Sequence, residues 1–162
     1  MANQFIPYGR QHITQTDIDA VVAVLQSDFL TQGSQVPAFE ERVAAYTGAK
    51  FGVAVNSATS ALHIACLALG LGQGEKGKDD WLWTTPITFT ASANCGLYCG
   101  ANIDFVDIDP LTLNMSINAL EEKLQLADAE NRLPKIVIPV HFTGEPCDMA
   151  AIHALSQQYG FK

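Results

Sequence analysis

Residues 81–108 read Trp81-Leu82-Trp83-Thr84-Thr85-Pro86-Ile87-Thr88-Phe89-Thr90-Ala91-Ser92-Ala93-Asn94-Cys95-Gly96-Leu97-Tyr98-Cys99-Gly100-Ala101-Asn102-Ile103-Asp104-Phe105-Val106-Asp107-Ile108. Trp81–Thr85 is a short apolar run ended by Pro86, which is the pattern of a buried strand. Phe89–Cys99 carries no charge, has the length of a helix and is closed by Gly100. Ile103–Ile108 then reads as a second strand. The same alternation extends outward. Upstream, Phe51–Val55 reads as a strand and Thr59–Leu69 as a helix almost without charge. Downstream come a turn at Asp109-Pro110 and a helix from Ser116 to about Asn131 with Ile117, Leu120 and Leu124 inward. A strand at Ile136–Val140 and a helix capped by Asp148 and running to Tyr159 complete the series. Strands separated by helices at this spacing need right-handed crossovers and a mainly parallel sheet covered on both faces, so the fold class is α/β.

The N-terminal stretch is different. Thr16–Leu25 predicts an amphipathic helix with Ile18, Val21, Val22 and Leu25 on one face. A loop through Leu30-Thr31-Gln32-Gly33-Ser34 leads to a second helix that opens near Pro37, buries Val36, Phe39, Val43 and Tyr46, and stops at Gly48. Gly72–Asp80 reads as a polar surface loop. At the other end Gly160-Phe161-Lys162 reads as a helix stop followed by the start of another strand. Four strands and an unfinished fifth leave an open sheet edge and uncovered helix faces, so the expectation is a partial chain.

Composition narrows the function. The 162 residues suit one ordinary domain, and 9 Lys and Arg against 17 Asp and Glu give a net charge of -8. Such a balance excludes general attraction to a phosphate backbone and argues against nucleic acid as a partner. Any anion must be bound locally. The first residues have neither the basic nor the apolar region of a secretory leader, and no apolar stretch reaches the ~20 residues of a membrane span, so a cytoplasmic protein with no membrane partner is expected. Cys66, Cys95, Cys99 and Cys147 form no C-x-x-C pair. Cys95 and Cys99 share a helix face, but no third ligand is placed near them, and reduced structural thiols are the expectation, with no metal.

Two local features carry chemistry. Asn56-Ser57-Ala58-Thr59-Ser60-Ala61 joins a strand to an uncharged helix, whose first-turn amides form a phosphate site without Lys or Arg; a plain Ser/Thr N-cap gives the same pattern. Pro86-Ile87-Thr88-Phe89-Thr90 lies at the carboxyl end of the next strand, where an aromatic can stack on a flat ring or serve as an ordinary core residue. Together they would hold a phosphate and a ring at neighbouring strand ends. His63 reads as a packing residue. His141 follows a strand at the ligand end and is open to a packing or a site role.

The strings Leu30-Thr31-Gln32-Gly33, Asn56-Ser57-Ala58-Thr59-Ser60-Ala61-Leu62-His63 and Thr84-Thr85-Pro86-Ile87-Thr88-Phe89 resemble the DegT/DnrJ/EryC1/StrS family of nucleotide-sugar aminotransferases. So do Ala91-Ser92-Ala93-Asn94-Cys95, Asp104-Phe105-Val106-Asp107-Ile108-Asp109 and Pro139-Val140-His141-Phe142-Thr143-Gly144, in the family's order and covering essentially the whole chain. The resemblance implies the large domain of a fold-type I pyridoxal 5'-phosphate (PLP) transferase, an αβα sandwich that is incomplete here. Residues 1–15 would be an N-terminal arm and 16–162 the first portion of the PLP-binding domain. It implies that Thr59 and Ser60 bind the PLP phosphate and that Phe89 stacks on the pyridine ring. It places Tyr8, Asp28, Phe29, Leu30, Thr31, Ser57 and Ala58 near the sugar-nucleotide substrate. It further implies glutamate as amino donor, a UDP-linked 4-keto-deoxysugar of the pseudaminic acid class as acceptor, and a homodimer.

No residue present matches the family's Asp for the pyridinium nitrogen or its Schiff-base Lys. Both are expected beyond Lys162, and Lys50, Lys76, Lys78, Lys123, Lys135 and Lys162 lack the family's context. The chain alone is therefore expected to be catalytically silent. Gly72–Asp80 is also longer than the usual family connection. Two rival readings stay open: a PLP-dependent sugar dehydratase on the same scaffold, with His at the Schiff-base position, and an inactive nucleotide- or phosphate-binding remnant.

Overall fold

The computed structural model describes residues 9–73 and 80–162. These residues form two compact units, which divide between Ala54 and Val55.

In the first unit, α1 (Gln15–Leu25) begins one residue before the expected start, with Thr14 as its N-cap. Thr14 Oγ1 accepts from the Asp17 amide while the Asp17 carboxylate accepts the Thr14 amide at 2.7 Å, a reciprocal capping box. α2 (Gln35–Thr47) ends as expected on Gly48, whose φ of 73° is the left-handed stop that glycine adopts without strain. One expectation fails: Val36, Phe39, Val43 and Tyr46 are exposed, and only Ala44 of α2 is buried. The spacing of apolar residues defines a helix face; it does not supply an element to cover it. Phe51–Val55 is likewise not a strand. No ladder partner reaches it among the described residues, and the segment is tied to α2 by the Ala54 amide on Glu40 Oε1 at 2.8 Å.

The second unit holds α3 (Ala58–Ala68), β1 (Trp81–Thr84), α4 (Ala91–Tyr98), β2 (Asn102–Phe105), α5 (Ile117–Ala129), β3 (Ile136–Ile138) and α6 (Met149–Tyr159). The strands are parallel in the order β2-β1-β3. They are shorter than the apolar runs suggest, because β1 pairs only through Thr84, opposite Phe105 and Ile138. Beyond β3, Lys162 donates its amide to Lys135 O at 3.0 Å and accepts the Val137 amide at 2.9 Å, so the chain does turn into strand-like pairing after Gly160.

Alternation along β1 sends successive side chains to opposite faces. Trp83 joins Val137 and the inner faces of α5 and α6, including Leu120, Leu124, Ile152 and Leu155. Leu82 joins Ile136 and the faces of α3 and α4, with Cys66 and Cys95. An αβα sandwich results, as the sequence implies. The centre of the α3–α4 layer is a sulfur contact, Cys66 Sγ to Cys95 Sγ at 3.7 Å, between free thiols. Among the described residues no group of three or more His, Cys, Asp or Glu is placed to hold a metal ion.

The connection from α3 to β1 is closed by a small polar clamp. Lys135 Nζ donates to Gly70 O at 2.6 Å and pairs with Asp80 at 3.1 Å, and Asp80 also accepts the Gly72 amide at 2.8 Å. Gly72 has φ 73°, and a Cβ there would lie 1.8 Å from Cys99 O.

Gly72→Ala is expected to cost about 3 kcal/mol, a sum of backbone strain and overpacking. Gly100→Ala has a similar φ, 77°, but open space around it, and should cost only about 1 kcal/mol. Denaturant midpoints compare the two, and equal losses would contradict the close approach. Burial first, then the neighbouring Cys95 and Cys99, push the Cys66 thiol up to about 12. The unfolded thiol ionises first, so this contribution is intact below the ordinary thiol range and is lost as pH rises towards 12. Melting curves across alkaline pH should therefore fall less steeply for Cys66→Ala than for the unaltered chain.

Candidate active site

The C-terminal end of α3 is fastened to the amino ends of the strands by the Lys135–Gly70–Asp80 clamp. The first turn of the same helix therefore opens at the other, carboxyl, edge of the sheet, which is where open α/β sheets bind ligands.

Ser57, with φ −160° and ψ 154°, is the N-cap of α3. Its Oγ accepts the Ser60 amide at 3.1 Å and donates to Ser60 Oγ at 3.0 Å, and Ser60 Oγ donates in turn to Asn56 Oδ1 at 2.9 Å. The Ala61 amide is taken by Ser57 O. Ala58 and Thr59 thus keep their amides free among the described residues, and no acidic side chain lies in the first turn. Two convergent amides, the Thr59 hydroxyl and the positive end of the helix suit a phosphate. The geometry divides the roles that the sequence left grouped: Ala58 and Thr59 supply free donors, whereas Ser57 and Ser60 lock the loop. Asn56 was not singled out from sequence; its position one residue before the N-cap is the only signal of its part in the lock.

Phe89 leaves the carboxyl end of β1 just before α4 and is 75% exposed, so it is not a core residue. Its carbonyl accepts the Ser92 amide at 3.0 Å, and Thr88 and Ser92 hydroxyls meet at 2.8 Å, which fixes the turn that presents the ring. A helix turn that suits a phosphate and an exposed ring that suits a flat heterocycle correspond to the two chemical ends of PLP, and the residues present fit that group.

Two lysines of the sheet layers are committed elsewhere. Lys123 pairs with Asp104 at 2.7 Å, donates to Phe105 O and lies over the Trp83 ring, and Lys135 belongs to the clamp. His63 packs edge-on against Tyr98 at 5.4 Å between ring centres, a packing role.

Of the residues assigned to the sugar nucleotide, Tyr8 lies outside the described residues. Asp28, Phe29 and Leu30 line a cavity of about 530 Å³ within the first unit, between the end of α1 and the start of α2, whereas Thr31 does not line it. Ser57 and Ala58 stand on the second unit, at the start of α3.

The sequence pattern of the DegT/DnrJ/EryC1/StrS aminotransferase family matches residues 11–162. The chain is 40% identical over 158 residues to the spore coat polysaccharide biosynthesis protein SpsC of Bacillus subtilis, covering 98% of this chain and 38% of that protein. It is 39% identical over 155 residues to the UDP-4-amino-4,6-dideoxy-N-acetyl-beta-L-altrosamine transaminase of Campylobacter jejuni, covering 95% and 38%. Among solved structures it superposes on Helicobacter pylori PseC, an aminotransferase of pseudoaminic acid biosynthesis, with a TM-score of 0.82, 29% identity and coverage of 96% and 39%. The PLP form of the putative sugar aminotransferase Spr1654 of Streptococcus pneumoniae gives 0.81, 29%, 94% and 36%. The chain thus spans about 38% of the length of these curated relatives. Across nearly all of its own length, this chain belongs to the DegT/DnrJ/EryC1/StrS aminotransferase family.

Proposed function

We propose that the protein is a PLP-dependent aminotransferase that moves an amino group from glutamate to the 4-keto carbon of a UDP-linked deoxysugar of the pseudaminic acid class, working as a homodimer. The observation that carries the reading is the uncharged first turn of α3, with free Ala58 and Thr59 amides at the same sheet edge as the exposed Phe89 ring. The sugar class is supported by the names of the Campylobacter and Helicobacter relatives.

When bound, PLP supplies the electron sink that stabilises the charge left when a proton departs from the donor's α-carbon. The residues of this chain do the holding. The amides of Ala58 and Thr59 and the Thr59 hydroxyl anchor the phosphate, Ser57, Ser60 and Asn56 keep those donors aimed, and Phe89 covers one face of the ring and excludes water from it. Asp28, Phe29 and Leu30 of the first unit are assigned to the sugar nucleotide, as are Tyr8, Thr31 and the Ser57–Ala58 pair. Lysine chemistry is assigned to a residue other than Lys123 and Lys135, since both are tied into the fold.

Absorbance titration of the protein with PLP, pyridoxal and UDP tests the reading. Ala58→Pro removes one free amide at a helix position that accepts proline, and the extended Ser57 before it suits a following proline. This variant should weaken PLP about tenfold, the worth of one hydrogen bond to a charged acceptor, and leave pyridoxal unchanged. Phe89→Ala should weaken both by about three- to tenfold. Saturable binding of UDP at this site with no preference for PLP would overturn the aminotransferase reading in favour of a nucleotide-binding role.

A further inference from the structure

The α3–α4 layer buries a pair of thiols that the site above does not use. Cys66 of α3 is 2% exposed and Cys95 of α4 is fully buried, and from positions 29 residues apart their sulfurs meet at 3.7 Å. Both are free. The contact has a direction: the Cys66 thiol donates to Cys95 Sγ, and the Cys95 thiol donates to Ser92 O at 3.4 Å. Leu71, Leu82 and Ile136 belong to the same core cluster, so the pair sits among apolar side chains.

Geometry selects the partner of each sulfur. Cys99 caps the same helix one turn after Cys95, but Cβ atoms four apart on a helix stand ~5–6 Å from each other. A disulfide spans only ~3.5–4.5 Å between Cβ atoms, so Cys95 and Cys99 cannot join without breaking the end of α4. Cys147 lies in the core on the other face of the sheet, its thiol on Val140 O at 3.2 Å. Cys66 and Cys95 already touch, and their sulfurs need to close by about 1.7 Å to reach the ~2.0 Å of a bond, a movement on the scale of a side-chain rotation.

We propose that Cys66 and Cys95 are a redox-active dithiol, which a hydroperoxide closes into a disulfide that staples α3 to α4. The Cys95 sulfur attacks one peroxide oxygen, the O–O bond breaks and water leaves, which makes Cys95 a sulfenic acid. The Cys66 sulfur then attacks the Cys95 sulfur, the S–O bond breaks and a second water leaves. The two thiols lose two hydrogens and two electrons, and the peroxide takes them. Cys95 goes first because it is the sulfur that accepts the neighbouring S–H, which favours its ionised form. Burial pushes both thiols up, so the first step is slow, and the contact decides which sulfur completes the bond. Closing also consumes the S–H that Ser92 O accepts, and Ser92 holds the Thr88 hydroxyl at the turn that presents Phe89. The oxidation state of the layer thus reaches that turn. The inference does not depend on the PLP reading.

Treatment of the reduced protein with hydrogen peroxide, followed by alkylation and peptide mapping without reductant, tests this assignment. The Cys66–Cys95 link should exceed every other pairing about tenfold or more, and dithiothreitol should reverse it. The denaturant midpoint should rise on oxidation, because the link constrains the unfolded chain, and return on reduction. In Cys95→Ala peroxide should leave the midpoint unmoved and link nothing to Cys66. Mapping of the unaltered protein decides the question even where that variant does not fold. Linkage of Cys66 or Cys95 chiefly to Cys99 or Cys147, or survival of both as thiols, would overturn the proposal. So would a midpoint that falls on oxidation, since the staple would then form only by distorting the layer.

Discussion

Burial of β1 on both faces is the constraint from which the second unit follows. Leu82 and Trp83 point into two separate cores, so each face of the sheet needs a helical layer, and the alternation of helices and strands supplies one pair of helices per face. The same four residues set where the sheet ends. Thr84, fully buried, satisfies its hydroxyl on Ile138 O at 2.9 Å, and beyond it the ladder stops on both sides. The chain segments after β1 and β3 are thereby released at one edge, carrying Phe89 and His141, while the clamp at the opposite edge orients α3 towards it.

An acidic chain that is to hold a phosphate must avoid relying on bulk electrostatics. The first turn of α3 meets that requirement with dipoles alone: two free amides, a hydroxyl and no side-chain charge. Such donors need rigid aim, and the Asn56–Ser57–Ser60 network provides it at a site that lies on a surface loop. Rigid backbone donors are the arrangement in which binding loses least to reorganisation.

Much of this was legible in the sequence because it is local. Gly48, Ser116, Asp148 and Gly160 mark helix ends by cap chemistry that needs no knowledge of the rest of the fold. The α/β class followed from the alternation around residues 81–108, and the capped start of α3 from the Ser/Thr run before an uncharged helix. What was not legible depends on partners distant in sequence. The apolar run Phe51–Val55 looks like a strand, yet strand formation needs a neighbour to pair with. The stripe of α2 looks like a core face, yet burial needs a surface opposite. The turn after His141 is held by Asn114, which accepts the Phe142 amide, and by Cys147, whose amide donates to His141 Nδ1; the two are 33 residues apart, and neither has a spacing or composition cue that announces it.

The proposed hold of the first turn of α3 on the phosphate of PLP runs through the Ala58 and Thr59 amides. The direct measurement is the amide ¹⁵N–¹H spectrum of the protein as PLP is added. The account predicts that the Ala58 and Thr59 resonances shift the most and that inorganic phosphate moves the same two in the same direction. Saturable PLP binding that leaves both unmoved would contradict it.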